Sequence, residues 1–232
     1  MSGESEFVTV APDDDRLESL AEFAAGAGHE LNNPVATIVG RVQLLLRDEA
    51  DPARRQALET IAGQAYRIRD MISDVMVFAR PPAAEPCEVE LVASVQDVVQ
   101  GVCDGHASRE GRVRVVDDGP VTILADPVQV SVVVAELLTN ALEADTQGGE
   151  VLVSITGNGP VVLEVRDRGP GLDAKSRRHL FDPFFSGRQA GRGLGFGLPK
   201  CWRIVNLQGG RIEVEPNEPS GLCVRVSWPR TA

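Results

Sequence analysis

Two runs of apolar residues, each spaced alternately by three and four positions, constrain the fold of this 232-residue chain more than any other feature. Such spacing places the apolar side chains along one side of an α-helix. Residues 48–52 (DEADP) separate the runs, and Pro52 suits the first turn of a new helix. The runs are Ala24, Gly28, Leu31, Val35, Ile38, Val42, Leu45 and then Leu58, Ile61, Ala65, Ile68, Ile72, Val75, Ala79. The pattern predicts an antiparallel helical hairpin.

A hairpin of two such helices cannot bury its own apolar rows. Pairing with a second copy of the chain would form a four-helix bundle, so the sequence predicts a homodimer. Residues 1–15 are polar and acidic, and we expect them to be disordered or a linker. The helical hairpin is predicted over residues 16–80, and the prolines that follow indicate a linker over residues 81–88.

Residues 89–232 show a different pattern, in which short β-branched runs alternate with helical stretches. A helix is expected to begin at Asp126, a typical helix cap, and to run to about Ala144. Residues 150–156 and 161–166 alternate like strands across a Gly-Asn-Gly-Pro turn, which predicts a β-hairpin. Interspersed helices and strands favour an α+β two-layer sandwich, a mixed sheet covered by helices on one face, over a doubly wound parallel sheet.

Charge and cysteine content narrow the functional classes. The net charge is −11 and no basic stripe is present, which argues against a nucleic-acid partner. No apolar run approaches the roughly 20 residues that span a bilayer, and the N-terminus lacks the basic start of a signal peptide. We therefore expect a cytoplasmic chain without a membrane span. The four cysteines show no metal-binding spacing and are expected to be reduced: Cys87, Cys103, Cys201 and Cys223.

Residues 28–34 (GHELNNP) combine an imidazole, a carboxylate, two amides and a proline within the first helix. His29 lies one position past Gly28 of the apolar row, about 100° round the helix, so its ring is expected on the accessible flank of the bundle. Pro34 cannot donate a hydrogen bond to the carbonyl of Glu30, which weakens the helix within a turn of His29. On position alone, a solvated surface histidine beside a tolerated proline fits as well.

Residues 191–198 (GRGLGFGL) place a glycine at every second position before a predicted helix. Glycine lets backbone amides approach phosphate oxygens, and a helix N-terminus favours negative charge. Arg188 and Arg192 flank this segment and suit phosphate binding. The spacing matches neither GxxxxGK[ST] nor GxGxxG, and glycine-rich turns also arise for structural reasons.

Two further polar groups are candidates for nucleotide recognition. Asp167 follows the end of a predicted strand and precedes Gly169 and Gly171, an arrangement that suits an exocyclic amine such as that of adenine. An ordinary turn explains the same residues. Glu136 and Asn140 are four apart on one face of a helix and could supply oxygen ligands to Mg²⁺, although a solvated polar face is the simpler explanation.

Taken in order, these motifs resemble the transmitter core of a two-component sensor histidine kinase, over about residues 15–230. The similar stretches are the phosphoacceptor box at residues 29–34 (HELNNP), the N box at Asn140, the first glycine box at residues 167–171 (DRGPG), the F box at residues 181–185 (FDPFF) and the second glycine box at residues 193–197 (GLGFG).

The resemblance implies a dimeric four-helix bundle followed by an α+β sandwich of the histidine kinase, gyrase and Hsp90-like ATPase type. It implies that ATP phosphorylates His29, with Glu30 as general base or orienting group. Asn140, helped by Glu136, would hold Mg²⁺ against the phosphates, and Asp167 would select adenine. The other residues that it implies for nucleotide binding are Gly169, Gly171, Phe185, Arg188, Arg192, Gly193, Leu194, Gly195 and Gly197.

The implied partner is a response regulator whose aspartate takes the phosphoryl group from His29. Glu30 with Asn33 resembles the family's arrangement for dephosphorylating that regulator, in which the amide orients a water. The sequence shows no sensor domain. We therefore expect either a fragment or a signal that arrives through a separate input protein.

One departure from the family pattern keeps other functions open. The family usually has Asn where this chain has Glu136, and Glu at that place resembles ATPases of the same nucleotide fold, where it activates a water. A Ser/Thr kinase or an ATPase is therefore one alternative, with an activity independent of His29. A non-catalytic dimeric scaffold is another, against which Asn140 and Asp167 argue.

Overall fold

The computed structural model describes residues 14–104, 109, 111–145, 147–157, 159–185 and 195–229, and the side chains of residues 14–25, 29, 174 and 175 are outside this description. The chain divides into two compact units, with a boundary between Pro82 and Ala83. The first unit is helical, and the second combines helices with strands. Among the described residues, no helix has both the length and the apolar character needed to cross a membrane.

The two hairpin helices, the helix after Asp126 and the β-hairpin of residues 150–166 are present as predicted, and the structure adds a five-residue helix near residue 176. The first unit contains α1 (Asp14–Asp48) and α2 (Pro52–Ala79). The second unit contains β1 (Cys87–Glu90), α3 (Leu91–Cys103), β2 (Val113–Asp117), β3 (Thr122–Ala125), α4 (Pro127–Ala144), β4 (Val151–Thr156), β5 (Val161–Arg166), α5 (Ala174–Arg178), α6 (Gly197–Leu207), β6 (Arg211–Pro216) and β7 (Leu222–Trp228).

A short, tightly bonded loop joins α1 to α2. Asp51 caps α2 by accepting hydrogen bonds from two backbone amides of the first turn, and Pro52 occupies the first position, as predicted. The Arg55 guanidinium donates to the carbonyls of Leu46 and Glu49, at 3.0 and 3.2 Å, which satisfies free carbonyls at the end of α1. The predicted helical hairpin is confirmed.

The apolar row of α1 divides into a buried half and an exposed half. Gly28, Val35 and Val42, spaced by seven, are buried within the hairpin. A Cβ added at Gly28 would lie 2.5 Å from the sulfur of Met76, so the absence of a side chain lets α2 approach closely. Leu31 and Ile38, the alternate members of the row, remain 49% and 45% exposed.

The second unit is built on a five-stranded mixed sheet in the order β2-β4-β5-β7-β6. β2 and β4 pair in parallel, and the other neighbours pair antiparallel, including the predicted β4–β5 hairpin. Helices α3, α4 and α6 pack on the sheet, and alternate residues of β4 and β5 are buried. The predicted two-layer sandwich with a mixed sheet is confirmed.

The start of α4 is held by contacts from three parts of the second unit. The Asp126 carboxylate caps the helix through the amides of Val128 and Gln129, and it also accepts a 2.9 Å hydrogen bond from the amide of Glu85. The Asp126 amide donates to the side chain of Gln208, beyond the end of α6. The hydrogen bond from Glu85, with those from Gln129 and Val128, lowers the pKa of Asp126.

Candidate nucleotide-binding and phosphoacceptor sites

Helix α4 presents two polar side chains beside the N-terminus of α6. Glu136 and Asn140 are half-buried on one face, as the sequence predicts, while Leu137 and Leu138 are buried in the core. A Cβ added at Gly197 would lie 2.9 Å from Oε2 of Glu136 and 3.0 Å from Nδ2 of Asn140. The glycine at the start of α6 therefore leaves room for both side chains.

Glu136 is ion-paired with a lysine of α6. Nζ of Lys200 donates to Oε1 of Glu136 at 2.6 Å, and the side chains are 8% and 30% exposed, respectively. A lysine this buried requires a partner, because an uncompensated charge is costly away from water. The two oxygens of Glu136 therefore differ: Oε1 bonds the lysine, and Oε2 faces the N-terminus of α6.

Asp167, just after β5, is buried and held in one orientation. Its Oδ1 accepts hydrogen bonds from the amides of Gly169 and Leu222, at 2.8 and 3.2 Å. No hydrogen bond from the described residues reaches Oδ2, so that oxygen is available to a ligand's amine. Burial raises the pKa of Asp167, with a contribution from the negative charge of Asp145, against the lowering effect of the two hydrogen bonds.

The loop between β6 and β7 fixes the backbone of Asp167. The Asn217 side chain donates a 2.7 Å hydrogen bond to the carbonyl of Asp167. Gly221 has a φ of +106°, and a Cβ added there would overlap that carbonyl oxygen and lie 2.9 Å from Oδ1. Gly171 also has a positive φ, and its added Cβ would lie 3.3 Å from the carbonyl oxygen of Gly221. The close approach of these two loops needs both glycines.

The F box and the second glycine box meet in the described structure. Gly195 has a φ of +72°, and a Cβ added there would overlap the carbonyl oxygen of Phe185. Phe184 also has a positive φ, 65°, which is uncommon for a residue with a side chain, and its ring packs edge-on against Phe196 with centroids 4.8 Å apart. Phe185 and Gly195 are thus brought together.

Four of the predicted nucleotide-binding residues lie outside the described residues: Arg188, Arg192, Gly193 and Leu194. The side chain of His29 is also outside, but its backbone belongs to α1, between buried Gly28 and exposed Glu30. Asn33 is exposed one turn after Glu30, and the hydroxyl of Thr37 donates to its carbonyl at 3.0 Å. The helix continues through Pro34. These residues form the candidate phosphoacceptor site of the first unit.

Two family models match the chain. The His Kinase A (phospho-acceptor) domain matches residues 19–84, and the histidine kinase-, DNA gyrase B- and HSP90-like ATPase matches residues 125–232. The chain belongs to the two-component histidine kinases. Its sequence spans the transmitter core of this family, the phosphoacceptor hairpin followed by the ATPase-type domain.

Curated sensor proteins and histidine kinases are similar to the chain over most of its length. The C4-dicarboxylate transport sensor protein DctB of Pseudomonas aeruginosa is 30% identical over 91% of this chain and 36% of its own. The histidine kinase AtoS of Escherichia coli is 30% identical over 86% of this chain and 33% of its own. The chain therefore spans about a third of the length of these relatives.

The fold is also that of solved histidine kinases. Full-length ShkA, in complex with AMPPNP, superposes with a TM-score of 0.79 at 24% identity, over 91% of this chain and 46% of its own. The catalytic domain of ThkA superposes with a TM-score of 0.55 at 24% identity, over 63% of this chain and 97% of its own.

Three residues near the site were not singled out from the sequence as site residues: Lys200, Asn217 and Gly221. For Lys200 a signal exists, because it lies four residues before buried Ile204 on a largely apolar helix. A lone charge at a core-facing position predicts a buried partner. Asn217 and Gly221 show no comparable pattern, because their role depends on how close one loop lies to Asp167.

Proposed function

We propose that this chain is an ATP-dependent histidine autokinase that phosphorylates His29 and passes the phosphoryl group to an aspartate of a response regulator. The observation that carries this proposal is the occurrence, in one chain, of a phosphoacceptor hairpin and an ATPase-type domain. In that domain, Gly197 at the start of α6 lies against Glu136 and Asn140 of α4, and Gly169 after β5 lies against Ala144 at the end of α4.

The adenine base is assigned to Asp167. Its Oδ1 is held by two amides, which leaves Oδ2 to accept a hydrogen bond from the exocyclic amine of adenine. A Cβ added at Gly169 would lie 3.0 Å from Oδ1 of Asp167, so this glycine leaves room beside the carboxylate, and Gly171 lets its loop lie against Gly221. The triphosphate is assigned to the N-terminus of α6, which begins at Gly197 just after Gly195 and has no side-chain cap on its first backbone amides. Phe185, Arg188, Arg192, Gly193 and Leu194 are proposed to complete this part of the site.

Asn140 and Glu136 are the proposed Mg²⁺ ligands. Within the described ranges, no three His, Cys, Asp or Glu side chains are grouped to hold a metal ion. Mg²⁺ is usually held by one or two side chains together with substrate phosphates and water. Asn140 can contribute its amide oxygen, and Glu136 can contribute Oε2, because Oε1 is ion-paired with Lys200. When bound, the ion would neutralise charge on the phosphates.

At the phosphoacceptor site, a neutral ring nitrogen of His29 would attack the γ-phosphorus of ATP in line with the leaving ADP. The attacking imidazole loses a proton, and Glu30, exposed on the next position of α1, would accept it or orient the ring. The product is a phosphoramidate. Transfer to the aspartate of a regulator regenerates free His29, and Asn33 with Glu30 would then orient a water for dephosphorylation of that regulator.

We also propose that the chain acts as a homodimer. The exposed half of the apolar row on α1 repeats every seventh residue through Leu31, Ile38 and Leu45, and Ile61 and Ile68 of α2 are similarly exposed. Two exposed apolar rows at heptad spacing suit a four-helix bundle with a second copy. A monomer mass in sedimentation equilibrium at micromolar concentration would refute this part.

The proposal is tested by incubating the protein with γ-labelled ATP and Mg²⁺. We expect label that is stable in alkali and lost in acid, and its absence in the variant His29→Gln. The chain has three histidines, so His106→Gln is a matched control that should keep the label. Label that persists in the variant His29→Gln, or that survives acid, would refute the proposal. Transfer of the label to purified receiver domains would then identify the partner.

A further inference from the structure

The ion pair between Glu136 and Lys200 joins two helices of the second unit. Glu136 lies in the third turn of α4 and Lys200 in the first turn of α6, 64 positions along the chain. Leu137 of α4 and Pro199 and Cys201 of α6, next to the pair in the sequence, are apolar and buried, whereas Asn140 is polar and half-buried. A buried ion pair contributes little net stability compared with apolar side chains of similar volume. Its presence here therefore suggests a role beyond stability.

The exposure of the two side chains shows which one faces a ligand. Glu136 is 30% exposed, whereas Lys200 is 8% exposed and its ammonium lies against Oε1 of Glu136. The second oxygen, Oε2, is directed toward Gly197 and shares that space with the amide of Asn140. The lysine thus contacts one carboxylate oxygen, Oε1, and the other oxygen, Oε2, lies at the edge of the proposed phosphate site.

An unpaired carboxylate at this edge would oppose nucleotide binding. The triphosphate of ATP carries several negative charges, and like charges a few ångströms apart in a half-buried site repel each other strongly. Lys200 offsets this charge through its ion pair with Glu136, and its own side chain is only 8% exposed. It also restricts the rotation of Glu136, because Oε1 is fixed by a 2.6 Å hydrogen bond.

We propose that Lys200 is a positioning residue for the triphosphate. It neutralises Glu136 and holds the carboxylate so that a single oxygen faces Asn140 and the N-terminus of α6. This inference rests on the proposed function, since it requires that the phosphates of ATP bind at that N-terminus. In this proposal Lys200 does not contact the phosphates directly, because it acts through Glu136.

The test measures the affinity of the full chain for ATP, ADP and adenosine by titration calorimetry in EDTA, which removes any contribution of Glu136 as a Mg²⁺ ligand. In EDTA, the variant Lys200→Met should bind ATP about tenfold more weakly than the wild type and ADP less so, with adenosine unchanged. Glu136→Gln, which retains the lysine's charge, should bind ATP at least as tightly as the wild type. The double variant Glu136→Gln/Lys200→Met should return to within about twofold of the wild type, since a coupled pair is not additive.

Three results would overturn the inference. Weak ATP binding by the double variant, equal to that of Lys200→Met, would mean that the lysine contacts phosphate directly. Equal losses for adenosine and ATP would mean a purely structural role. Weaker ATP binding by Glu136→Gln in EDTA would contradict the repulsion. If Lys200→Met does not fold by circular dichroism, Glu136→Gln and the double variant still decide the question. A wild-type chain that binds no ATP refutes the proposed function itself, which separates the two failures.

Discussion

Substitution of Gly195 by alanine would test how the segment before α6 is held against the F box. A side chain at a φ near +72° costs about 1 kcal/mol in any surroundings. The added Cβ would also overlap the carbonyl oxygen of Phe185 and lie 2.5 Å from its carbon, and relieving such a clash costs about 2 kcal/mol more. Both partners are backbone, so rotation of a side chain cannot remove the clash.

Gly111 provides a matched control for this substitution. Its φ is +70°, almost that of Gly195, but no atom lies within 4 Å of an added Cβ. Gly111→Ala should therefore lower the free energy of unfolding by about 1 kcal/mol and leave nucleotide affinity unchanged. Gly195→Ala must in addition displace the F box or the start of α6, and about 2 kcal/mol of excess cost corresponds to about thirtyfold weaker ATP binding.

The assay combines calorimetric titration with ATP and thermal unfolding followed by circular dichroism. We expect the loss of affinity in Gly195→Ala to exceed its loss of global stability, because a local rearrangement relieves the clash without unfolding the sheet. If Gly195→Ala binds ATP as tightly as Gly111→Ala, the contact between the two boxes does not hold the site, and the reasoning is wrong.

Two further predictions concern the carboxylates of the second unit. Asp167→Asn should weaken ATP binding by roughly tenfold to a hundredfold, because a hydrogen bond to a charged acceptor contributes about 1.5–3 kcal/mol. A competition titration in which the affinities for GTP and for ATP change by the same factor would contradict adenine recognition. Asp126→Ala should lower the free energy of unfolding at pH 7 by about 2 kcal/mol, the upper range for a helix cap, since Glu85 also loses its acceptor. The hydrogen bonds from Glu85, Gln129 and Val128 lower the pKa of Asp126 in the folded chain, so its contribution is complete above the unfolded pKa of about 4 and is lost as the pH falls through the folded pKa. In urea unfolding, the difference in free energy of unfolding between wild type and variant should therefore be smaller at low pH than at pH 7. An equal difference at both pH values would refute this.

Local patterns predicted the elements because each depends on nearby residues. Residues only a few positions apart determine the apolar spacing of α1 and α2, the cap at Asp126 and the hairpin between β4 and β5. The pairing of β2 with β4 is different, since parallel strands meet only after a long crossover through α4. The small sheet of β1 with β3 likewise joins strands separated by a helix, so short alternating runs could not reveal their partners.

The site was predictable to the extent that single residues carry a chemical signature. Asp167 with its glycines and Asn140 with Glu136 were proposed as site residues from residue type and spacing, and this remains a prediction. The groups that hold them were not found. Asn217 follows Asp167 by 50 positions, and Lys200 follows Glu136 by 64, so only the packed fold brings each pair together.

The apolar row of α1 was predicted as one continuous feature, but the structure divides it. Gly28 and Val35 are buried inside the hairpin, whereas Leu31 and Ile38 are exposed. The repeat cannot distinguish these halves, because both consist of apolar residues at helical spacing. The division depends on which side of α1 contacts α2, and the close approach at Gly28 to Met76 is part of that contact.

The contact between Glu85 and Asp126 has a practical consequence for dissecting the chain. Glu85 lies outside the helices and strands of the second unit. Its backbone amide nevertheless donates a hydrogen bond to Oδ2 of Asp126, the residue that caps α4. A separately expressed nucleotide-binding fragment should therefore begin at Ala83 rather than at the first strand. A fragment that starts at Cys87 would leave that oxygen without its hydrogen-bond donor. This would weaken the N-terminal cap of α4, the helix that carries Glu136 and Asn140.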